Sequence, residues 1–222
     1  MDHNAEGIEA IRNEDYETAV KAFSAAIEEN PEDPIGYINF GNLLATLGRP
    51  DEAEKAERFF QKALVLDPSS MTAVYGLAGL YYNAERYEEA AKLYERAVRG
   101  GIDGADAPYM LAKSLERSDN AKLALPYMQR AAELAPGDIQ IRLSYGILLA
   151  SLEMFGPAAD ELRHVVGEDP ENADAHYNLG VLYAVSTQQK EDALRHLERA
   201  FTIDPDHIQA RYVFDMINQA EQ

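Results

Sequence analysis

The 222-residue sequence contains no cysteine, so it can form neither disulfides nor thiolate metal sites. It also lacks an apolar run near the roughly 20 residues that a transmembrane helix needs. The first ten residues, MDHNAEGIEA, have neither the basic start nor the apolar core of a secretory signal peptide. We therefore expect a soluble, cytoplasmic protein that is not inserted in a membrane.

Basic residues are scarce in comparison with acidic ones. Lysine and arginine together number 20 against 39 aspartates and glutamates, which gives a formal net charge of −19. Such a charge repels the phosphates of nucleic acids and anionic lipid headgroups, and it attracts basic surfaces. We therefore expect no direct nucleic-acid or membrane partner, and a protein partner that is basic.

Motifs that carry catalysis or metal binding are missing as well. The sequence has no GxxxxGKS/T phosphate loop, no GxSxG nucleophile elbow and no HExxH pair of metal ligands. The acidic residues Asp103 and Asp106 lack the further oxygen ligands of a calcium-binding EF-hand. The five histidines show no ligand spacing, and we expect them to be solvated or to pack: His3, His164, His176, His196 and His207. The prediction is a protein that is not an enzyme and has no cofactor or metal site.

The most regular stretch runs from Ala173 to Pro205 and predicts two amphipathic helices that form a hairpin. Small and large residues recur in it at helical i, i+3 and i+4 spacing. Six positions carry this pattern: Leu179, Gly180, Tyr183, Ala193, Leu197 and Ala200. The small residues Gly180 and Ala193 would let two helix backbones approach closely. A polar segment separates the two helices, and Pro205 closes the unit because the residue before proline is forced out of the helical conformation.

This pattern resembles the tetratricopeptide repeat (TPR), a helix-turn-helix unit of about 34 residues. Closing prolines recur along the chain with separations of 37, 68, 34 and 35 residues, at Pro31, Pro68, Pro136, Pro170 and Pro205. Because 68 is twice 34, a proline is missing near Ile102. Short stretches such as AIEEN, YINF and ADAHYN are also similar to a small bacterial member of the family, which indicates a bacterial source.

The resemblance implies an all-α fold: a right-handed α-solenoid of six TPR helix-turn-helix repeats plus a C-terminal capping helix. We expect a single solenoid over residues 1–222. The predicted repeats are 1–33, 34–70, 71–104, 105–137, 138–172 and 173–205, followed by the capping helix 206–222. The segment 100–104 has three glycines and lacks the closing proline, so it predicts a flexible joint between two three-repeat halves.

Two repeats depart from the family pattern. The second helix of repeat 2 is three residues too long, and both Ala53 and Ala56 fit its small position. We expect this helix to begin about one turn early, either as a tolerated surface extension or as a specific docking feature. In repeat 4 we expect Pro126 within about the first turn of the second helix, where a missing N–H is least harmful.

The resemblance also implies where a ligand binds, since the first helix of each TPR repeat lines a concave groove. Carrying the family's contact positions over residue by residue gives the predicted peptide-binding groove: Ile38, Asn39, Asn42, Tyr75, Tyr82, Tyr109, Lys113, Leu143, Ile147, Tyr177, Asn178, Val181, Tyr212 and Met216. Four tyrosines share the fifth position of the first helix and would form an aromatic ladder. The alternatives are that these rings belong to the core, and that the asparagines cap local polar groups instead of binding a peptide backbone.

Family members that clamp a chaperone's C-terminal carboxylate use lysine, asparagine and arginine at fixed groove positions. Asn39 matches that pattern, but Asn4, Thr72 and Gly76 stand where basic residues are required. The sequence therefore predicts a non-catalytic scaffold or adaptor that binds a partner's peptide segment, basic with apolar anchors, in its concave groove. We expect the chain to be a monomer. The alternative is a protein-binding subunit of an RNA-processing or modification complex.

Overall fold

The computed structural model describes residues 2–186 and 189–219, apart from the side chain of Pro50. These residues form thirteen α-helices and no strand: α1 (His3–Arg12), α2 (Tyr16–Glu29), α3 (Pro34–Leu47), α4 (Pro50–Leu66), α5 (Met71–Asn83), α6 (Tyr87–Arg99), α7 (Asp106–Arg117), α8 (Ala121–Leu134), α9 (Ile139–Ser151), α10 (Phe155–Glu168), α11 (Ala173–Ser186), α12 (Lys190–Ile203) and α13 (Ile208–Gln219). Within the described ranges, none of the helices has the combination of length and apolar character needed to cross a bilayer.

Aspartate side chains fix the start of several helices. The carboxylate of Asp33 accepts the backbone N–H of Ile35 at 3.0 Å, and Pro34 occupies the first helical position, where no N–H donor is needed. The carboxylate of Asp138 accepts two backbone N–H groups in the first turn of α9 at 2.9 and 3.0 Å. Each such cap stabilises its helix by about 1 kcal/mol, so the short polar segments between repeats determine where the next helix begins.

A residue in the left-handed backbone region follows most of the odd-numbered helices. These residues have φ between 58° and 64° and lie one repeat apart: Glu14, Gly48, Glu85, Asp119 and Glu153. Only Gly48 adopts this conformation without a steric penalty, which for other residues is about 1 kcal/mol. The left-handed residue reverses the chain so that the next helix begins two residues later.

The chain divides into two compact units, residues 1–119 and 120–222. In the first unit α1 packs on α2, α3 on α4 and α5 on α6, and the even-numbered helices α2, α4 and α6 each also pack on the helix that follows. In the second unit α9 packs on α10 and α11 on α12, while α8, α10 and α12 each contact the next helix. Each unit is therefore a stack of helical hairpins in which every hairpin packs on its neighbour.

The boundary between the units lies in predicted repeat 4, after Asp119, whereas the joint was predicted at 100–104. In that loop Gly101 and Gly104 have φ values of +79° and +94°, which residues with a Cβ rarely adopt. The N–H of Ile102 donates to the carbonyl of Ala97 at 3.2 Å, which closes the end of α6. The loop thus has a defined turn geometry, and flexibility at 100–104 stays a prediction.

Close contact at the small positions holds each hairpin together. A Cβ added to Gly180 of α11 would lie 2.6 Å from the Cγ of Leu197 on α12, and one added to Gly146 would lie 2.9 Å from the Cγ of Leu162. Leu162 and Leu197 are fully buried in the cores of their hairpins. The close approach of two helix backbones that the sequence predicted at Gly180 is therefore confirmed.

Both irregular repeats have a clear structural outcome. Helix α4 has 17 residues and begins at Pro50, one turn early as predicted, and its residues Ala56 and Phe60 are fully buried. The expectation for Pro126 was wrong, because it is the sixth residue of α8. At that depth proline leaves the carbonyl of Lys122 without its usual i+4 donor. Pro126 is exposed, so water can reach this part of the helix.

Candidate interaction surface

The surface of the first unit that was predicted to bind peptides begins with asparagines of α3. The side-chain N–H of Asn39 donates to the Oδ1 of Asn4 at 3.0 Å, so these two amides satisfy each other between α1 and α3. Asn42, one turn later, is exposed. Ile38 is only 7 % exposed and packs against Ala63 and Ala73. Asn42 is therefore the accessible amide of α3, and Ile38 supports the surface from below.

Two tyrosine pairs lie further along the first unit. The rings of Tyr75 and Tyr94 meet edge to face with centroids 5.3 Å apart, and Tyr82 meets Tyr87 in the same way at 5.3 Å. Burial raises the pKa of the Tyr75 hydroxyl, with a further contribution from Asp106. Tyr75 and Tyr82 are partly buried, so each ring both packs and presents an edge to solvent.

Cationic side chains of α7 lie near the second pair. The guanidinium carbon of Arg117 is 4.7 Å from the ring centroid of Tyr87, a cation–π contact. Burial raises the pKa of Tyr82, and the positive charges of Lys113 and Arg117 lower it in part. Tyr109 also interacts electrostatically with Tyr82. The structure thus brings these predicted residues of α5 and α7 together into one aromatic and cationic cluster.

Glu116 is a member of this cluster that sequence reasoning did not select. Its Oε2 atom is buried without a hydrogen-bond partner and lies 3.4 Å from the Nζ of Lys113. Burial raises the pKa of the Glu116 carboxyl, while Lys113 acts in the opposite direction. The i, i+3 spacing of Lys113 and Glu116 was the only signal in the sequence. The ammonium group of Lys113 offsets part of the cost of burying this carboxylate.

In the second unit the corresponding surface is apolar. Ile147 of α9, Val181 of α11 and Met216 of α13 occupy the same position on three neighbouring helices. Ile147 is 36 % exposed and Met216 is 54 % exposed, while Val181 is partly buried. Tyr212, one turn before Met216, is 67 % exposed. These side chains provide an accessible apolar strip.

Three other predicted residues of the second unit have local roles. Leu143 is 4 % exposed and lies in the core of its hairpin. The ring of Tyr177 packs against the imidazole of His207 with centroids 4.7 Å apart. The side-chain N–H of Asn178 donates to the carbonyl of Asp174 at 2.8 Å, which is the local capping that the sequence left open as an alternative.

A histidine pair lies elsewhere in the second unit. The Nδ1 atoms of His176 and His196 are 2.9 Å apart, and the Nε2 of His176 is 3.2 Å from the carbonyl oxygen of Pro170. Burial lowers the pKa of His176 and lowers that of His196 to about 4, so both rings are neutral at pH 7. In the part of the chain that the structure describes, no cluster of three or more potential ligands could hold a metal ion.

Comparison with known sequences identifies these hairpins. The family profile of the tetratricopeptide repeat matches four stretches, of which the first three overlap: residues 4–58, 54–108, 87–139 and 146–208. The chain belongs to the tetratricopeptide repeat family. Its fold is the all-α repeat solenoid that the sequence predicted. TPR domains generally bind other proteins through the surfaces that their stacked hairpins form, and they are generally not catalytic.

Solved structures support the same assignment. The chain is 44 % identical to YrrB, a TPR protein with an unusual peptide-binding site, with a TM-score of 0.79 over 86 % of this chain and 97 % of YrrB. The fold also matches that of PilF from Pseudomonas aeruginosa, with a TM-score of 0.80 over 99 % of this chain and 96 % of PilF. With 18 % identity, PilF shows the fold alone.

Curated relatives are longer than this chain. Anaphase-promoting complex subunit 3 of Schizosaccharomyces pombe is 25 % identical over 190 residues, which cover 86 % of this chain and 28 % of the relative. Tetratricopeptide repeat protein 8 of Caenorhabditis elegans is 24 % identical over 166 residues, 74 % of this chain and 32 % of the relative. The chain thus spans about a third or less of the length of these two relatives, so they indicate the repeat and not a shared activity.

Proposed function

We propose that this TPR protein is a non-catalytic cytoplasmic adaptor that binds a peptide segment of a partner protein along the first helices of its repeats. The observation that supports this most directly is the accessible apolar strip of the second unit. Tyr212 and Met216 are more than half exposed on α13, although large apolar side chains are usually buried. Contiguous exposed apolar residues mark interaction surfaces more often than isolated ones do.

Each unit offers its own kind of contact to a ligand. In the first unit the exposed amide of Asn42 can bond an extended backbone, and Tyr82 offers an apolar face with a polar tip. In the second unit, Ile147, Tyr212 and Met216 can receive apolar side chains. YrrB, which is 44 % identical, has an unusual peptide-binding site, and this favours a peptide ligand here as well.

The charge of the chain indicates the partner's chemistry. With a net charge of −19, the protein attracts basic segments over a distance of about 10 Å at 0.1 M salt. Electrostatic attraction of this kind mainly increases the association rate, whereas apolar anchors mainly slow dissociation. We therefore propose a ligand that is basic and carries apolar anchors, bound by a monomer.

Selection from a displayed peptide library against the full chain tests this function. We expect enriched peptides that combine lysine or arginine with aromatic or aliphatic residues. The double variant Tyr212→Ala/Met216→Ala should lose binding with unchanged helical content. The matched control is Leu123→Ala/Leu134→Ala, which truncates two exposed leucines of α8. Equal loss in both variants, or no enrichment at all, would contradict the proposal.

A subunit of an RNA-processing or modification complex would use the same surface to bind an enzyme of that complex. Purification of the tagged protein from its native cells separates this case from a general adaptor. Recovery of an RNA-modifying enzyme with the wild type, and its absence with Tyr212→Ala/Met216→Ala, would identify it. RNA that remains bound after such an enzyme is removed would contradict protein-mediated recruitment.

A further inference from the structure

A second surface with the opposite charge preference lies on α3 and α4 of the first unit. A shallow cleft of about 360 Å³ is lined there by two aromatic and three cationic side chains: Tyr37, Lys55, Arg58, Phe59 and Lys62. Its volume is at the lower end of the range for ligand-binding pockets. None of these five residues belongs to the predicted groove.

Packed aromatic rings form the wall of the cleft. Phe59 stacks on Phe40 with centroids 4.6 Å apart, and Tyr37 lies 6.1 Å from Phe59 in a tilted arrangement. The hydroxyl of Tyr37 donates to the carbonyl of Pro31 at 3.1 Å, which fixes the ring. Phe40 in turn packs against the buried Phe23. The apolar wall is therefore held rigidly by the core beneath it, and no side-chain ordering is needed for it to receive an apolar group.

Helix geometry places three cations around this wall. Lys55, Arg58 and Lys62 follow an i, i+3, i+7 spacing and lie along one side of α4. The Nζ of Lys62 is 5.8 Å from the ring centroid of Tyr37. Arg58 donates to Glu54 at 2.5 Å, but Lys55 and Lys62 make no ion pair within the described residues.

One carboxylate of α4 is directed away from the cleft. Glu57 accepts a hydrogen bond from the hydroxyl of Tyr81 at 2.8 Å and lies 3.5 Å from Arg86, both beyond the far side of α4. The residues that line the cleft carry three positive charges and no negative charge, in a chain whose net charge is −19. Charge complementarity favours an anionic partner at this site alone.

We propose that this cleft binds an acidic peptide segment that carries one aromatic or large aliphatic side chain. The anchor would lie between Tyr37 and Phe59, and flanking carboxylates would pair with Lys55 and Lys62. A nucleic acid would meet the same cations but also the repulsion of the remaining surface. With a basic ligand on the predicted groove, the protein would connect two partners of opposite charge.

Fluorescence anisotropy with a defined probe tests the proposal. The probe is a labelled peptide with one tryptophan flanked on both sides by aspartates and glutamates. We expect saturable binding that weakens at least about tenfold in Lys55→Glu/Lys62→Glu and also weakens as salt rises. The matched control is Lys92→Glu/Lys122→Glu, which changes the net charge equally at exposed lysines of α6 and α8. It should bind like the wild type.

Further probes separate the alternatives. Replacing the tryptophan with serine should weaken binding, and shifts in the aromatic NMR resonances of Tyr37 and Phe59 in the unmodified protein should follow the titration. Equal loss in both charge-reversed variants would overturn the proposal, as would absence of binding. Tighter binding of a single-stranded RNA of equal charge would overturn it in favour of nucleic acid. Self-association that Lys55→Glu/Lys62→Glu abolishes, without peptide binding, would overturn it in favour of a second copy of this chain.

This experiment is independent of the proposed groove function. The variant Tyr212→Ala/Met216→Ala should keep its affinity for the acidic peptide, and Lys55→Glu/Lys62→Glu should keep its affinity for a basic groove ligand. If only one of the two ligands fails to bind, only the proposal for that surface is therefore refuted.

Discussion

The same helical position differs in chemistry between the two units. At the ninth position of the predicted repeats' first helices, the first unit has Ile8, Asn42, Gly79 and Lys113, whereas the second has Ile147, Val181 and Met216. This ninth-position row is apolar throughout the second unit, whereas in the first unit only Ile8 has an apolar side chain. The hairpins below it use the same small positions and the same closing turns, so the scaffold does not require either chemistry. The difference indicates two kinds of ligand contact on one repeated framework.

The fifth position behaves differently, because both units have two tyrosines there: Tyr75 and Tyr109 in the first, Tyr177 and Tyr212 in the second. Tyr75 and Tyr177 each pack a ring against a neighbour, Tyr94 and His207 respectively, while Tyr212 projects into solvent. One position in the repeat therefore contributes to packing in some hairpins and to accessible surface in another. Substitutions in the two units can therefore separate effects on stability from effects on binding.

The largest effect is expected from Gly180→Ala in the second unit. The new methyl would lie 2.6 Å from Leu197, and overpacking of this kind destabilises a fold by about 3 kcal/mol. In the first unit the Cβ of Gly41→Ala would approach Phe60 at 3.0 Å and should have a smaller effect. Thermal denaturation followed by circular dichroism measures both. The control Gly156→Ala, with nothing within 4 Å, should not lower the melting temperature. A larger loss for Gly156→Ala would contradict this account.

Tyrosine truncations should separate the ladder into two classes. Tyr212→Ala should weaken groove binding by about 2 kcal/mol and leave the melting temperature unchanged, because its ring is mostly exposed. Tyr75→Ala and Tyr177→Ala should lower the melting temperature as well, since their rings pack against neighbours. Tyr109→Ala completes the series. A binding titration beside each thermal melt decides whether a tyrosine contributes to packing or to recognition. Normal binding by all four variants would exclude the ladder as a recognition surface.

Acidification should affect the second unit through its histidine pair. In the folded protein burial lowers the pKa of His196 to about 4, whereas an unfolded histidine has a pKa of about 6.5. The unfolded chain therefore binds more protons between these values, and the stability present above pH 6.5 is lost as the pH falls toward 4. With partial solvent screening we expect a loss of about 1 kcal/mol. Hydrogen exchange at pH 7 and pH 5 should show it in α11 and α12, and His196→Gln should reduce the difference.

The smallest effect concerns the left-handed turn residues. Glu85→Gly should stabilise the protein by about 0.5 kcal/mol, because glycine adopts a φ of 59° without steric cost. Glu88→Gly, three residues later in the first turn of α6, should instead destabilise by up to about 1 kcal/mol. Denaturant titrations of the two variants give the comparison. Destabilisation by both would mean that the greater freedom of glycine in the unfolded chain outweighs the relief of strain.

Much of the fold could be predicted because its causes are local. The spacing of the prolines predicted the repeat length, and the three extra residues of the second helix of repeat 2 predicted the early start of α4. The left-handed residues were not predicted, because three of them are glutamates: Glu14, Glu85 and Glu153. Glutamate does not indicate a left-handed turn, whereas a glycine such as Gly48 does. Pro126 was placed too near its helix start, since the helix begins at Ala121, five residues before the proline.

The candidate surface was less predictable. The family's contact positions selected Ile38 and Leu143 together with Tyr212 and Met216, yet the first two are core residues. Position in a helix fixes the direction of a side chain only relative to its own axis. How far the neighbouring helices cover it is decided by their packing, which no single repeat encodes.

The sequence by itself determined that this chain folds as helical hairpins, where Gly180 and its equivalents let helices approach, and that the surface is acidic. Those properties follow from residue size, helical spacing and charge, which act over a few residues or are simply additive. Only the tertiary structure decided that the two units divide after Asp119, that His176 meets His196, and that three cations of α4 surround the rings of Tyr37 and Phe59. These features join residues from different helices, and their free energy depends on distances that only packing sets.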